Sequence, residues 1–486
     1  MIKYGIEASG YIENEKILEN ILGEVNPGET IIITGPSGSG KTTLLLTLTG
    51  ILTNLLNGWV KGTVLIDNLD PLQEKDFTKI PRILGAVLQD PDKQIAMPTP
   101  LDEVSFQLEN LGYSEEEAQR LAFLALKKYG LEKKANMHVE YLSGGEKRRL
   151  TFASATVHDP EVLFLDEPTA SVDPWGIKQI REFIVEAEKR SKTIVIVEHK
   201  LKYFIDLVNE IHVLIRGRLE QVYRKEEVTN KVLDQLENMG IDAKSPHILP
   251  PKPLNNRTIL KTRNLAIGYP DSDVLVKDID LELREGEIAV IVGPNGSGKT
   301  TFLKTLIGAI PAVDGEIYFL GEKLVYRRNK LFKGLFYVPQ QPDYLFMETS
   351  LEKEILELAK KTRNDPSVIA EKIPWFNKLK YMSPYNLSHG QRRWLSIIIA
   401  WAYKSKIILL DEPTTGLDYS LFKELKRLIN NLRDIGLSFI ISTHDPRVVG
   451  ELADTVYYID PVSRRFESRN KEEVVELLEK IAGAEF

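Results

Sequence analysis

Two copies of one short glycine-rich pattern constrain this chain of 486 residues more than any other feature. Gly35-Pro36-Ser37-Gly38-Ser39-Gly40-Lys41-Thr42 and Gly293-Pro294-Asn295-Gly296-Ser297-Gly298-Lys299-Thr300 lie 258 residues apart. Both fit G-x-x-x-x-G-K-[ST], a loop whose backbone amides cradle phosphates while its lysine reaches the β and γ oxygens. The hydroxyl after the lysine is placed to bind Mg²⁺. Each copy follows an apolar run (30–34 and 288–292) and precedes a helical pattern (43–48 and 301–307). That strand–loop–helix context is the one in which the pattern binds a nucleotide. Two phosphate sites are therefore expected.

The repetition extends well beyond the loops. Met1-Ile2-Lys3 falls on Ile259-Leu260-Lys261 at the offset of 258, and Tyr11 falls on Tyr269. Further along the offset drops to 245, where Ser143 aligns with Ser388, Asp166 with Asp411 and His199 with His444. The expected units are 1–240 and 259–486, joined by 241–258. Four prolines in the connector (Pro246, Pro250, Pro251, Pro253) disfavour helix or central strand and suit a semi-rigid extended tether. Within each unit apolar runs alternate with amphipathic stretches, for example at 162–165, 193–197, 407–410 and 439–441. The expected fold class is α/β: tandem duplicated P-loop NTPase domains, each with a largely parallel core sheet.

Composition narrows the function classes. A net charge of −7 argues against a wide basic surface, so no nucleic-acid partner is expected. The absence of cysteine excludes disulfides, iron–sulfur clusters and cysteine-based zinc sites. The first residues lack the apolar core of a signal peptide, and no apolar run reaches the length of a membrane helix. The expected location is cytoplasmic, with any membrane role carried through partners.

Hydrolysis of a nucleoside triphosphate needs neutralised phosphates, a held metal and a positioned water. The apolar runs ending at Leu165 and Leu410 are followed by Asp166-Glu167-Pro168-Thr169 and Asp411-Glu412-Pro413-Thr414. A carboxylate at a strand end beside the phosphate loop suits the Mg²⁺ shell, and the next can polarise the attacking water. An isolated Asp-Glu pair is usually a solvated turn. Here it recurs 23 residues after each of two serines, Ser143 and Ser388.

Those serines open Ser143-Gly144-Gly145-Glu146 and Ser388-His389-Gly390-Gln391. With the preceding leucines they resemble the LSGGQ signature of ABC ATPases. The resemblance implies two nucleotide-binding domains packed head to tail as an intramolecular dimer, each with a helical signature subdomain. Each ATP would lie between one domain's phosphate loop, with Thr43 or Thr301 following it, and the other's signature, Ser388 and Gly390 or Ser143 and Gly145. It further implies that Gln89 and Gln340 sense Mg²⁺ and the attacking water, completing metal sets of Thr42, Gln89, Asp166 and of Thr300, Gln340, Asp411. Asp173 and Asp418 sit where D-loop aspartates lie. Glu167 and Glu412 would orient water, His199 and His444 would contact the γ-phosphate, and Tyr11 and Tyr269 would stack on adenine. The basic runs Lys147-Arg148-Arg149 and Arg392-Arg393 read more simply as solvated helix faces.

His389 departs from the pattern by replacing a glycine. Two readings stay open: unequal sites, with faster hydrolysis at the one built on Lys299 and Glu412, or a tolerated substitution. Val87 to Ile95 and the segments Leu101 to Phe106 and Glu109 to Gly112 are similar to the energy-coupling factor (ECF) transporter ATPases, as are Gly145 to Arg149 and Val197 to Lys200. That resemblance implies uptake of a vitamin, a vitamin precursor, or nickel or cobalt ions. The partners would be a transmembrane coupling subunit and a membrane substrate-binding subunit, holding this chain peripherally on the cytoplasmic face of the cell membrane. The competing readings are a soluble ABC-type mechanical ATPase acting on ribosomes or nucleic acid, and a fused sugar-importer ATPase.

Overall fold

The computed structural model describes residues 1–170, 172–269, 274–327 and 331–484. Each repeat builds a six-stranded sheet in the same order. In the first it runs Leu84–Val87, Val162–Asp166, Thr193–Val197, Thr30–Thr34, Glu210–Ile215, Arg218–Arg224. In the second it runs Leu335–Val338, Ile407–Asp411, Ser438–Thr443, Ile288–Val292, Thr455–Ile459, Phe466–Arg469. Neighbours pair in parallel except at the last edge, where a hairpin closes the sheet. The central strands are buried at every position. That is why they read as unbroken apolar runs instead of alternating ones. A smaller antiparallel sheet flanks each, centred on Ile2–Gly10 and on Thr258–Ile267.

The strand order positions the sites. The phosphate-loop strand, the histidine strand and the carboxylate strand lie side by side, with their C-terminal ends at one edge, where open α/β sheets bind ligands. Helices pack as a separate layer: Pro100–Asn110, Glu115–Lys128 and Gly144–Thr156 around Val104, Ala122, Leu126 and Leu150. Their counterparts are Leu351–Thr362 and His389–Ala402, with two short helices, Pro366–Ala370 and Phe376–Leu379, between them. The interruption falls at Ile373-Pro374, where proline removes a donor and pushes the preceding residue out of helical geometry.

The connector forms no helix or strand between 241 and 257; its first residues are buried and most of the rest is exposed. Ile241 and Ala243 are buried in the first unit's core. Further on, the Leu249 amide donates to Gly450 O at 2.9 Å and the Lys252 amide to Asp454 at 3.0 Å, laying the chain along the second unit. The last helix, Lys471–Ala482, packs on Pro174–Lys189 of the first unit, and Ala482 enters that unit's core.

At this junction charges are buried. Lys202 lies 2.9 Å from Glu479 and 3.5 Å from Asp242, and Arg447 lies 3.4 Å from Asp242 and 2.7 Å from Asp445. Burial opposes the Lys202 charge, but Asp242 and Glu479 outweigh it and hold the ammonium well above the ordinary lysine range. Buried pairs add little over an apolar core, but removing one partner leaves uncompensated charge. Asp242→Ala should therefore lower stability by about 3 kcal/mol, read as a shift in the urea unfolding midpoint.

Candidate functional site

Each phosphate loop ends on a glycine in the left-handed region, Gly40 at φ 100° and Gly298 at φ 102°, and the helix begins at the lysine that follows. Only glycine takes that conformation without strain. Gly38 and Gly296 are also left-handed, at 76° and 79°. Lys41 Nζ folds back to donate to Gly35 O at 2.8 Å and Pro36 O at 3.1 Å, and Lys299 does the same to Gly293 and Pro294. Among the described residues, the buried Ser39 and Ser297 hydroxyls have no hydrogen-bond partner. The result is a positively biased cradle at a helix N-terminus, suited to phosphate.

Beside the first loop, the Thr42 hydroxyl lies 3.4 Å from Asp166. Beside the second, Thr300 donates to Asp411 Oδ2 at 2.8 Å. Hydroxyl and carboxylate oxygens are the hard donors that Mg²⁺ selects, so both sets fit that ion, which commonly completes its shell with phosphate and water. The following glutamates have left-handed backbones, Glu167 at φ 42° and Glu412 at φ 43°. Such strain in a non-glycine residue is found where the surrounding fold over-determines it, often at functional sites.

The two sites differ in detail. Glu412 Oε1 lies 3.0 Å from His444 Nδ1 and 3.3 Å from Lys299 Nζ. Burial works against the Glu412 charge, yet His444 and Lys299 outweigh it and hold the carboxyl down at about 2. Glu167 instead accepts from Gln89 Nε2 at 2.5 Å, with His199 Nδ1 at 3.9 Å. His199 sits closer to Glu198, at 3.3 Å. Glu198 is fully buried and accepts from the Thr169 hydroxyl at 2.5 Å and from the His199 and Lys200 amides. Asp166 is pushed up to about 7 by burial and by the neighbouring Glu167 charge. Asp411 accepts two further hydroxyls, from Tyr337 at 2.8 Å and Ser442 at 2.5 Å.

Contacts between the units close both loops. Asp418 Oδ2 accepts from the Ser37 amide at 2.6 Å, and Asp173 Oδ2 accepts from the Asn295 amide at 2.8 Å. The Ser143 and Ser388 hydroxyls are engaged as helix caps with Glu146 and Gln391. Among the described residues, no hydrogen bond joins either serine to the facing loop. Tyr11 and Tyr269 are exposed, each with its hydroxyl 3.4 Å from the threonine after the loop, Thr43 or Thr301. Gly144 and Gly145 face open space, whereas an added Cβ at Gly390 would meet Leu421 at 2.8 Å. The His389 ring lies against Gly416.

The expectation of solvated basic helix faces fails at Arg148 and Arg393, which are 5% and 1% exposed. Arg148 donates to Leu88 O at 2.8 Å and Gln89 O at 2.7 Å, and Arg393 to Pro339 O at 2.9 Å and Gln340 O at 2.6 Å. Each signature helix thus clamps the glutamine loop of its own unit through carbonyls, while the Gln89 and Gln340 side chains stay exposed. An arginine's carbonyl partners are invisible in sequence. Its recurrence at the offset of 245 is the signal that marks the pair. Glu198, replaced by Thr443 in the second unit, carries no such signal.

Two phosphate cradles, each beside a strand-end carboxylate pair and each closed by an aspartate from the opposite unit, define a tandem P-loop NTPase with composite sites. The ABC transporter family model matches residues 18–170 and 276–415. A protein of Sulfurisphaera tokodaii, provisionally named an ABC transporter ATP-binding protein, is 34% identical over 89% of this chain and 91% of its own length. One of Methanosarcina acetivorans with the same provisional name is 30% identical over 90% and 84%. A structure described as ribosome-bound archaeal Pelota and ABCE1 shares the tandem fold, with a TM-score of 0.68 over 96% of this chain and 78% of that one, at 21% identity. The chain belongs to the ABC transporter family and is an ATP-hydrolysing member with two ABC domains. Domains of this family bind ATP with Mg²⁺.

His389 supplies a pH test. Burial and then Arg393 and Arg392 push its imidazole down to about 4. In the unfolded chain it would titrate near its ordinary value of about 6.5. The folded state then binds fewer protons between those values, so stability from this residue is complete above pH 6.5 and falls as pH drops toward 4. Thermal unfolding of wild type and His389→Gln across that range should show wild type losing ground steadily on acidification.

Proposed function

We propose that this chain is the ATP-hydrolysing subunit of an ECF-type importer for a vitamin, a vitamin precursor, or nickel or cobalt ions. The observation that carries this reading is an exposed apolar surface beside the second glutamine loop. Tyr344, Met347 and Tyr381 are 76%, 72% and 75% exposed. They are gathered by the Tyr385 hydroxyl donating to Phe346 O at 2.8 Å and by the Leu351 amide donating to Met382 O at 2.8 Å. Large exposed apolar side chains grouped in this way mark interaction surfaces. Among the described residues no helix is long and apolar enough to cross a membrane. The partners that fit are a transmembrane coupling subunit and a membrane substrate-binding subunit, which would hold this chain on the cytoplasmic face of the membrane.

In this reading ATP binds at both cradles, with adenine on Tyr11 and on Tyr269. Thr42, Asp166 and Gln89 would hold Mg²⁺ at the first site, and Thr300, Asp411 and Gln340 at the second. When bound, the ion neutralises phosphate charge. Glu167 and Glu412 orient the attacking water, and His199 and His444 hold the γ-phosphate. Ser388 and Gly390 complete the first site, and Ser143 and Gly145 the second. Domain closure and reopening would reach the partner helices through the arginine-clamped glutamine loops.

The tighter His444–Glu412 pairing and the intact Ser143-Gly144-Gly145 both favour faster hydrolysis at the second site. Glu412→Gln should then lower steady-state turnover about tenfold or more, and Glu167→Gln only about twofold. Equal losses would remove the inequality. For the transport role, tagged chain should recover a polytopic membrane protein and a small membrane subunit from detergent-solubilised membranes. The Tyr344→Ser/Met347→Ser/Tyr381→Ser variant should lose them while keeping its own ATPase activity. Recovery of ribosomal proteins or nucleic acid instead would overturn the importer reading.

A further inference from the structure

The carboxylates that end the two equivalent strands are held very differently. Asp411 has both oxygens occupied, Oδ2 accepting from Thr300 and Tyr337 and Oδ1 from Ser442. The two extra donors come from the strands on either side. Tyr337 lies on Leu335–Val338, opposite Leu409, and Ser442 lies on Ser438–Thr443, directly opposite Asp411. In the first unit the same register places Ala86 opposite Phe164 and Val197 opposite Asp166. Neither side chain can donate. Among the described residues, the hydrogen-bond partner of the Asp166 side chain is the Thr42 hydroxyl, at the long distance of 3.4 Å.

A carboxylate that takes a metal must be correctly turned when the ion arrives. Hydroxyl donors on both oxygens remove the rotational freedom that binding would otherwise have to quench. Outer partners of this kind are commonly worth about tenfold to a hundredfold in metal affinity. Tyr337 spans from a neighbouring strand to the carboxylate, so its ring is half-buried between sheet and helix and its reach is set by the fold.

We propose that Tyr337 and Ser442 are positioning residues that set the Asp411 carboxylate for Mg²⁺. They make the site on Lys299 depend more strongly on the ion for nucleotide affinity than the site on Lys41, where Ala86 and Val197 stand in their places. The proposal rests on the reading of Asp411 as a metal-holding residue. It adds a source of inequality between the sites that is separate from His389, because these side chains lie behind the carboxylate within one unit. His389 instead belongs to the signature that faces the site on Lys41.

The test is equilibrium binding of a fluorescent, non-hydrolysable ATP analogue to full-length chain, with Mg²⁺ and with EDTA. In a Lys41→Ala background, where the second site reports, Tyr337→Phe/Ser442→Ala should cut the Mg²⁺-dependent gain in affinity about tenfold. Affinity in EDTA should stay unchanged. Ser442→Thr, which keeps the hydroxyl, should retain the gain. The single variants, each lacking one oxygen atom, should show smaller steps of the same sign. The Lys299→Ala chain, reporting the first site, should show a smaller gain than the Lys41→Ala chain. An undiminished gain in the double variant, or an equal fall in Mg²⁺ and in EDTA, overturns the positioning role and leaves the metal site standing. No Mg²⁺ dependence in the Lys41→Ala parent overturns both.

Discussion

Two carboxylates hold the catalytic ends of this molecule together. Asp418 caps helix Tyr419–Asp434 with Oδ1, accepting from the Leu421 amide at 2.8 Å, and reaches the Ser37 amide with Oδ2. Asp173 does the same between the Gly176 amide and the Asn295 amide. A helix cap is among the more rigid placements available to a side chain, since its acceptor position is set by the first turn. Each phosphate loop is thereby registered against the opposite unit through one residue. The exchange is reciprocal, so neither cradle is closed by its own repeat alone.

A second part of the interface, next to the histidine loops, is built from different physics. There Lys202, Asp242, Arg447 and Glu479 are buried together, the start of the connector is buried in the first unit's core, and the last helix brings Ala482 into that same core. The Asp242 amide donates to His199 O at 3.0 Å, while its carboxylate lies 3.4 Å from Arg447, three residues beyond His444. One connector residue therefore contacts His199 itself and an arginine on the helix that follows His444. Hydrogen bonds to exposed loops separate at low cost, whereas buried ion pairs do not. The two kinds of contact between the units therefore differ in what it costs to separate them.

Much of this was legible in sequence because it was written twice. The loops, the Asp-Glu pairs and the histidines recur at steady offsets, and the buried parallel strands show as uninterrupted apolar runs. The basic residues of the signature helices were misread for a physical reason. A helix of mixed polarity looks solvated unless one knows that a carbonyl-rich loop packs over it, as it does over Arg148 and Arg393. Asp242 lies just ahead of a run of prolines whose stiffness is local and says nothing of where the segment lies. Tyr337 and Ser442 sit on separate strands, and only sheet register brings them to Asp411.

The sequence by itself determined the duplicated α/β architecture, the two phosphate cradles and the identity of the side chains beside them. Those features depend on local chemistry: left-handed glycines, a lysine opening a helix, carboxylates ending apolar strands. Tertiary structure alone decided that each cradle is closed from the other unit, that the start of the connector is buried in the first unit's core, and that the two carboxylates are held unequally. Each of these depends on distances between residues far apart in the chain, and such distances are set by packing and register, which no local pattern encodes.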